Sequence, residues 1–364
     1  MDFKKIAEGF GIKTDSLMYT ECQKGHVNST FFVNTDGGDS EPKYVFQRIN
    51  TSVFKNPDQL MSNIFNVTSH IRSKLLAEGK DEKRGVLNFI KTPDGKYYHV
   101  DDEGNHWRAY HYIRKSLSLN ISDSTELFAQ SGFAFGHFQN QLADFDASKL
   151  YETIPNFHNT VSRLNDLKKA INNNLADRKD IAEKEIGFVL ARENKCSYIV
   201  DGIKNGKYPL RVTHNDTKLN NVLFDKETGE GLCVVDLDTV MPGSMLYDFG
   251  DSIRFGASSA VEDETDLSKV YIRLDMFEAY TDGFIKGLDG AITDEEIKAF
   301  PISAYIITLE TGLRFLTDYL NGDTYFRIHR PDHNLDRARN QFKLVADMET
   351  KMDEMNKIVA KYIK

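Results

Sequence analysis

Between Val212 and Asp251 the chain reads VTHNDTKLNNVLFDKETGEGLCVVDLDTVMPGSMLYDFGD. His214 and Asp216 open the stretch, and Asn221 follows five residues after the Asp. Val222, Leu223 and Phe224 are apolar and read as a short strand. Asp225 to Gly231 is polar and carries two glycines, which is turn chemistry. Leu232 to Val235 is a second apolar run, ending at Asp236. The segment therefore predicts a hairpin. Its open end carries Asn221 just before the first strand and Asp236 just after the second. The turn is longer than the tightest type, so the register stays open.

This pattern has chemical meaning. An amide oxygen and a carboxylate suit Mg2+, a hard cation usually held together with substrate phosphates. Asp216, upstream in the same loop, is placed to accept a proton from a hydroxyl. Base, Asn and strand-end Asp together match the parts of a phosphoryl-transfer site. A polar loop whose side chains cap turns would explain one or two of these residues, not the set. Asp248-Phe249-Gly250 also spells a metal-binding motif, but it lies twelve residues beyond the hairpin, after Pro242 and Gly243. Its place suits the start of a helix, with Asp248 as a cap for exposed N–H groups. The metal role therefore goes to Asp236, with Asp238 as a neighbour. His214 and Asp248 are assigned structural parts.

The segments RVTHNDTKLNNVLFD, VVDLDTVMPGSMLYDFGDSIRFGAS and ETGLRFLTDYLNGDTYF resemble the N-acetylhexosamine 1-kinases. These belong to the aminoglycoside phosphotransferase and choline kinase superfamily. The resemblance runs from about Gly25 to Lys343. It implies a two-lobed, protein-kinase-like α+β fold, with a small antiparallel-sheet N-lobe and a mainly helical C-lobe. By the same resemblance Asp216 is similar to the base, and Asn221 and Asp236 to the metal ligands.

The 364 residues are enough for about two domains. A net charge of −9 argues against a sequence-independent grip on nucleic acid. Cys22, Cys196 and Cys233 are far apart and match no zinc spacing, so they read as reduced, mostly buried thiols. The N-terminus lacks the apolar core of a signal peptide, and no run of about 18 apolar residues exists. A cytoplasmic protein without membrane partners is expected. The oligomeric state stays open.

Residues 1–113 read as strand-rich, with a boundary to a helical part, 114–364. Phe3 to Phe10 is a candidate short helix. Glu21 to Val33 reads as strand, turn, strand, and Lys43 to Ile49 as another strand. Asn56-Pro57 starts a helix through about Ala77, with Leu60, Ile64, Val67, Ile71 and Leu75 on one face. Val86 to Thr92, Tyr97 to Val100 and His106 to Ile113 read as strands. Ser124 caps a helix through about Ala143, in which Gly132 and Gly136 are spaced for close packing. Further helices are expected over 163–174, 178–192, 266–288 and 294–320. The last has a capping box at Thr293 and Glu296, and Pro301 should bend or interrupt it. The tail from about Arg337 to Tyr362 reads as a charged, surface-laid helix.

The nucleotide loop is Lys24-Gly25-His26-Val27-Asn28-Ser29-Thr30. Backbone N–H groups at Gly25, and the Ser29 and Thr30 hydroxyls, are its candidate phosphate donors. It has one glycine, so an ordinary hairpin is an equal reading from the residues alone. A second departure concerns the strand Tyr44 to Arg48. A phosphate-pairing Lys is expected there, and Gln47 stands in its place, with Arg48 on the other face. The helix that follows offers Asn63 and Asn66 rather than a Glu. The group that neutralises the α- and β-phosphates is left open. The resemblance places the adenine edge against backbone groups near Tyr110 to Ser116, with Tyr112 and Ile113 as candidates.

Glu310, Arg314 and Asp318 fall at i, i+4 and i+8 on one helix face. From spacing alone they read as a salt-bridged, solvated face. The resemblance favours Arg314 as a sugar contact, with Tyr325 and His26 as further candidates. An Arg there would repel cationic acceptors such as choline or aminoglycosides. The expectation is an ATP- and Mg2+-dependent kinase that phosphorylates the anomeric hydroxyl of N-acetylglucosamine or N-acetylgalactosamine. A kinase of another small alcohol is the alternative enzyme. A nucleotide-binding regulator with a degenerate site is the alternative outside enzymology.

Overall fold

A computed structural model describes residues 1–14, 16–22, 27–35, 41–120 and 123–363. The chain forms two compact units, each assembled from several stretches. The first contains Met1–Ser118, Asp144–Pro155 and Val222–Pro242, and the second Leu119–Ala143, Asn156–Asn221 and Gly243–Lys364.

The first unit is built on an antiparallel sheet. Its strands run in the order Met18–Cys22, Ser29–Asn34, Tyr44–Arg48, His106–His111 and Phe89–Ile90, and His99–Val100 also pairs with His106–His111. Alternation sets the core: Phe31, Val33, Phe46, Trp107 and Ala109 all point inward. The short helix Phe3–Gly9 lays Phe3, Ile6 and Ala7 against them. The ring of Phe3 meets those of Phe31 and Trp107 edge-on, at 4.8 and 5.7 Å.

Helix Pro57–Ala77 begins where its signals lie. Asn56 accepts the N–H of Gln59, and Pro57 occupies the first turn. Leu60, Ile64, Val67, Ile71 and Leu75 are buried as their spacing predicts. Two expected strands shrink to two residues each, 89–90 instead of 86–92 and 99–100 instead of 97–100. Asp81 caps a helical turn, Glu82–Gly85, which leaves Val86 only the exit from that turn. A second small sheet pairs Gly231–Val234 with Val222–Asp225, and that strand with Ser116–Ser118. The expected hairpin is therefore present, with a register shift between Gly231 and Cys233. Its third strand falls where only helices were expected.

The second unit is helical. Helix Thr125–Gln141, capped by Ser124, packs against Leu274–Leu288 at backbone contact. A Cβ on Gly136 would lie 2.1 Å from the Phe284 carbonyl oxygen, and one on Gly283 would lie 2.0 Å from that of Ala129. The expected helix over 294–320 is two helices, Asp294–Lys298 and Phe300–Leu320, with Pro301 in the first turn of the second. The latter is buried almost all round. Three other expectations shift: the helices are Thr160–Asn173, Glu183–Leu190 and Leu274–Leu288. The tail helix, His333–Ala360, is not surface-laid. It buries Leu335, Phe342, Val345, Met348 and Met355 beneath a charged outer face.

No described helix is long and apolar enough to cross a membrane. Cys196 and Cys233 are buried free thiols, whose pKa values burial pushes up to about 11 and about 12.

Candidate active site

The loop carrying Asp216 lies in the second unit, after strand Arg211–Thr213. Its backbone is held by side chains of helix Met245–Gly256. Asp248 accepts the N–H of His214 at 2.9 Å and that of Asn215 at 2.7 Å. Gln139 donates to the same carboxylate at 2.7 Å. Asp251 accepts the N–H of Thr217 at 3.0 Å and is braced by Arg254. Arg254 in turn bonds Glu262. The helix is capped by Ser244, not by Asp248. The capping role expected for Asp248 is thus corrected, because Asp248 sits one turn inside and bonds the loop instead. Burial pushes its carboxyl pKa up, against the pull of His214 and the donated bonds.

These bonds fix an unusual backbone. Asn215 has φ 65°, a left-handed conformation that costs a residue with a Cβ. Its N–H goes to Asp248, and its carbonyl accepts from Nε2 of His158 at 3.2 Å. His158 meets Glu310 through Nδ1 at 2.8 Å. Asp216 is thereby presented half-buried. Lys218 lies 2.7 Å from its Oδ1. Burial raises the Asp216 pKa, but Lys218, then His214 and Arg254, more than offset this and hold it below the ordinary value. The carboxylate is ionised at neutral pH and can accept a proton.

Asn221 donates through Nδ2 to the Asp216 carbonyl at 2.8 Å and to its carboxylate at 3.2 Å. With the amide nitrogen so engaged, the oxygen end is left for another partner. His214 is fully buried against the edges of Phe135 and Phe138.

In the first unit, Asp236 follows strand Gly231–Val234 with φ 60°. Asp238, two residues on, is buried and accepts from Arg108 and from Asn28. Gln47 lies directly opposite Arg108 in the sheet and accepts from its Nε at 2.9 Å. Gln47 also donates to Thr30 Oγ1 at 3.0 Å, while Arg48 reaches Ser29 Oγ at 3.2 Å. Asn63 uses its amide on backbone groups of Tyr151 and Val240. Of the proposed adenine-edge groups, the Tyr112 N–H is taken by the Lys43 carbonyl, and the Ile113 carbonyl by the Ser116 hydroxyl. The Tyr112 carbonyl and the Ile113 N–H have no such partner among the described residues. Gly25 and His26 lie outside the described residues.

The salt-bridged face expected of Glu310, Arg314 and Asp318 is overturned. Glu310 is 1% exposed and spends its oxygens on His158 and Thr160. Asp318 is also buried and receives the N–H groups of Thr324, Tyr325 and Phe326 at 2.8–2.9 Å. Arg314 makes no ion pair or hydrogen bond among the described residues. Its guanidinium lies 5.5 Å from the rings of both Phe157 and Phe326. Arg163 is close enough that, after burial, the charge of Arg314 is the next cause lowering its pKa. Tyr325 is 68% exposed.

Arg108, His158, Lys218 and Arg254 were missed in the sequence. Lys218, two residues from Asp216, was the one with a local signal. Arg254 also has near partners, Asp251 and Glu262, whereas Arg108 and His158 meet residues far away in the chain.

Known proteins share the fold. Solved structures of similar fold include a microcompartment-associated aminopropanol kinase, with a TM-score of 0.58 at 12% identity over 98% of this chain and 99% of that one. An aminoglycoside phosphotransferase from Alicyclobacillus acidocaldarius also gives 0.58 at 12% identity, over 100% of this chain and 96% of that one. A choline kinase from Cryptosporidium parvum gives 0.57 at 13% identity, over 95% and 93%. The fold is thus the α+β, protein-kinase-like one. Residues 19–270, more than half of the sequence, match the phosphotransferase enzyme family, and the chain belongs to that family.

Proposed function

We propose that this phosphotransferase moves the γ-phosphoryl group of ATP to the anomeric hydroxyl of N-acetylglucosamine or N-acetylgalactosamine. The observation that carries the acceptor class is Arg314, a guanidinium 5.5 Å from each of two aromatic rings that makes no ion pair or hydrogen bond among the described residues. The neighbouring acids, Glu310 and Asp318, are buried and already engaged. Such a surface disfavours a cationic amine and suits a neutral, oxygen-rich acceptor with an aromatic-stacking ring face.

Asp216 accepts the proton of the 1-hydroxyl. The freed oxygen attacks the γ-phosphorus, and the bond to the β–γ bridging oxygen breaks, releasing ADP. Lys218 keeps Asp216 ionised beforehand. Asn221 and Asp236 would hold Mg2+. Each donor suits the ion by its own chemistry: the Asn221 nitrogen faces Asp216 and so leaves its oxygen, and Asp236 is a carboxylate. The ion supplies charge compensation for the phosphates. The rest is positioning and electrostatics.

Amino alcohols are the second reading, since solved proteins of this fold are named as aminopropanol and choline kinases. Incubation with ATP and each candidate acceptor, followed by 31P NMR, separates the two. A sugar 1-phosphate is expected. A 6-phosphate, or turnover of choline or ethanolamine alone, overturns the acceptor assignment. Turnover of any acceptor excludes the non-catalytic regulator.

A further inference from the structure

Kinases of the protein type place a lysine on the third strand and pair it with a helix glutamate, so that a fixed cation meets the nucleotide phosphates. Here Gln47 and Asn63 leave that pair unmade. Asn63 is committed to the backbone of Tyr151 and Val240.

A cation nevertheless enters the same face of the sheet. Gln47 and Arg108 are register partners on neighbouring antiparallel strands, so their side chains share a face. Arg108 is 2% exposed, and a buried guanidinium requires an anion. Asp238 is that anion, and it lies two residues from Asp236. Nε of Arg108 binds Gln47 and Nη1 binds Asp238. Its Nη2 makes no hydrogen bond among the described residues, so the fork has donors to spare. The same set reaches the described end of the nucleotide loop, through Gln47 to Thr30 and through Asp238 to Asn28.

We propose that Arg108 is the phosphate-neutralising cation of the nucleotide site, with Asp238 as its carboxylate partner. The ion pair has moved from the third strand and a helix to the strand His106–His111 and the segment after Asp236. A guanidinium also offers two parallel donors to a phosphate, where an ammonium offers a point charge. The inference rests on the reading of ATP as donor.

The test is calorimetric binding of AMP-PNP with Mg2+, which needs no acceptor, joined to steady-state kinetics. Arg108→Gln/Asp238→Asn removes both buried charges, so that neither is left unpaired. Its affinity for the nucleotide should fall by about tenfold to a hundredfold, the usual worth of a charge-assisted bond. KM for the acceptor should barely move, whereas a merely structural pair would shift both constants. Arg108→Gln/Gln47→Lys should recover part of the loss, because it returns a cation beside Asp238 from the neighbouring strand. If the doubly neutral variant fails to fold, this lysine variant decides alone, and binding no better than Arg108→Gln overturns the proposal. Wild-type affinity in the neutral variant also overturns it. Absence of binding by the wild-type protein would sink the ATP reading itself, and the proposal with it.

Discussion

Glu310 and His158 meet at 2.8 Å inside the second unit, and the far nitrogen of the same imidazole holds the carbonyl of Asn215. A carbonyl only accepts, so Nε2 must carry a hydrogen. Burial raises the Glu310 pKa, but His158 and Thr160 outweigh this and hold it below the ordinary carboxylate value. A group with a depressed folded pKa stabilises above its unfolded pKa and loses that contribution as pH falls through the folded one. Wild-type stability should therefore be level above about pH 5 in this respect and decline in more acidic solution. Glu310→Gln should be less stable near neutrality and decline less steeply in acid. Urea unfolding across pH for both proteins measures this, and parallel curves would count against the pairing.

Asp216→Asn keeps the shape of the side chain and removes the proton acceptor. We expect kcat to fall by about 10²- to 10⁴-fold while nucleotide still binds. Because Asp216 titrates below the ordinary aspartate value, kcat should persist into acid before it drops. Lys218→Met removes the neighbouring cation and should move that acid limb upward. A pH–kcat profile of the two proteins reads it directly.

Asp236 and Asp248 should separate cleanly. In Asp236→Ala the protein stays folded, and the Mg2+ concentration needed for half-maximal rate rises. Asp248→Ala strips partners from the N–H groups of His214 and Asn215. Each buried group left unsatisfied costs about 1–3 kcal/mol. Asp248→Ala should therefore lower thermal stability and distort the loop, reducing kcat without a matching change in the Mg2+ requirement. Thermal melts with Mg2+ titrations distinguish the two. The reverse pattern would hand the metal to Asp248.

Arg314→Ala should reduce kcat/KM for the sugar by about tenfold to a hundredfold, the loss of a charge-assisted hydrogen bond. KM for ATP should stay near its wild-type value. Arg314→Lys should rescue only part, since an ammonium cannot reproduce the planar fork of a guanidinium. Kinetics with each substrate varied in turn decide the matter. An unchanged sugar value would leave Arg314 a packing residue.

Elements whose signals are local were legible in the sequence. Helix Pro57–Ala77 announced its cap, its first-turn proline and its buried stripe, and Pro301 marked the break before Phe300–Leu320. The hairpin at Val222 followed from apolar runs around a turn. What stayed hidden depends on distant partners. Ser116–Ser118 is a strand only because residues 223–225 pair with it. Arg108 is a lone charge in an apolar strand until Asp238, 130 positions away, explains it. Glu310 and Asp318 looked like surface acids because charge and spacing alone do not reveal burial.

The chain path of the first unit has a consequence for making the protein in pieces. Residues 222–242 and 144–155 belong to that unit, and Val222–Asp225 completes the edge that Ser116–Ser118 begins. During synthesis, the unit cannot close until its last contributor has left the ribosome, when most of the second unit's early helices already exist. A fragment ending near residue 118 would expose an unpaired strand edge and leave the buried Arg108 without its carboxylate. Such a fragment should aggregate rather than fold. Replacing residues 1–118 of this chain with another protein's segment would likewise cut through a single sheet and a single ion pair.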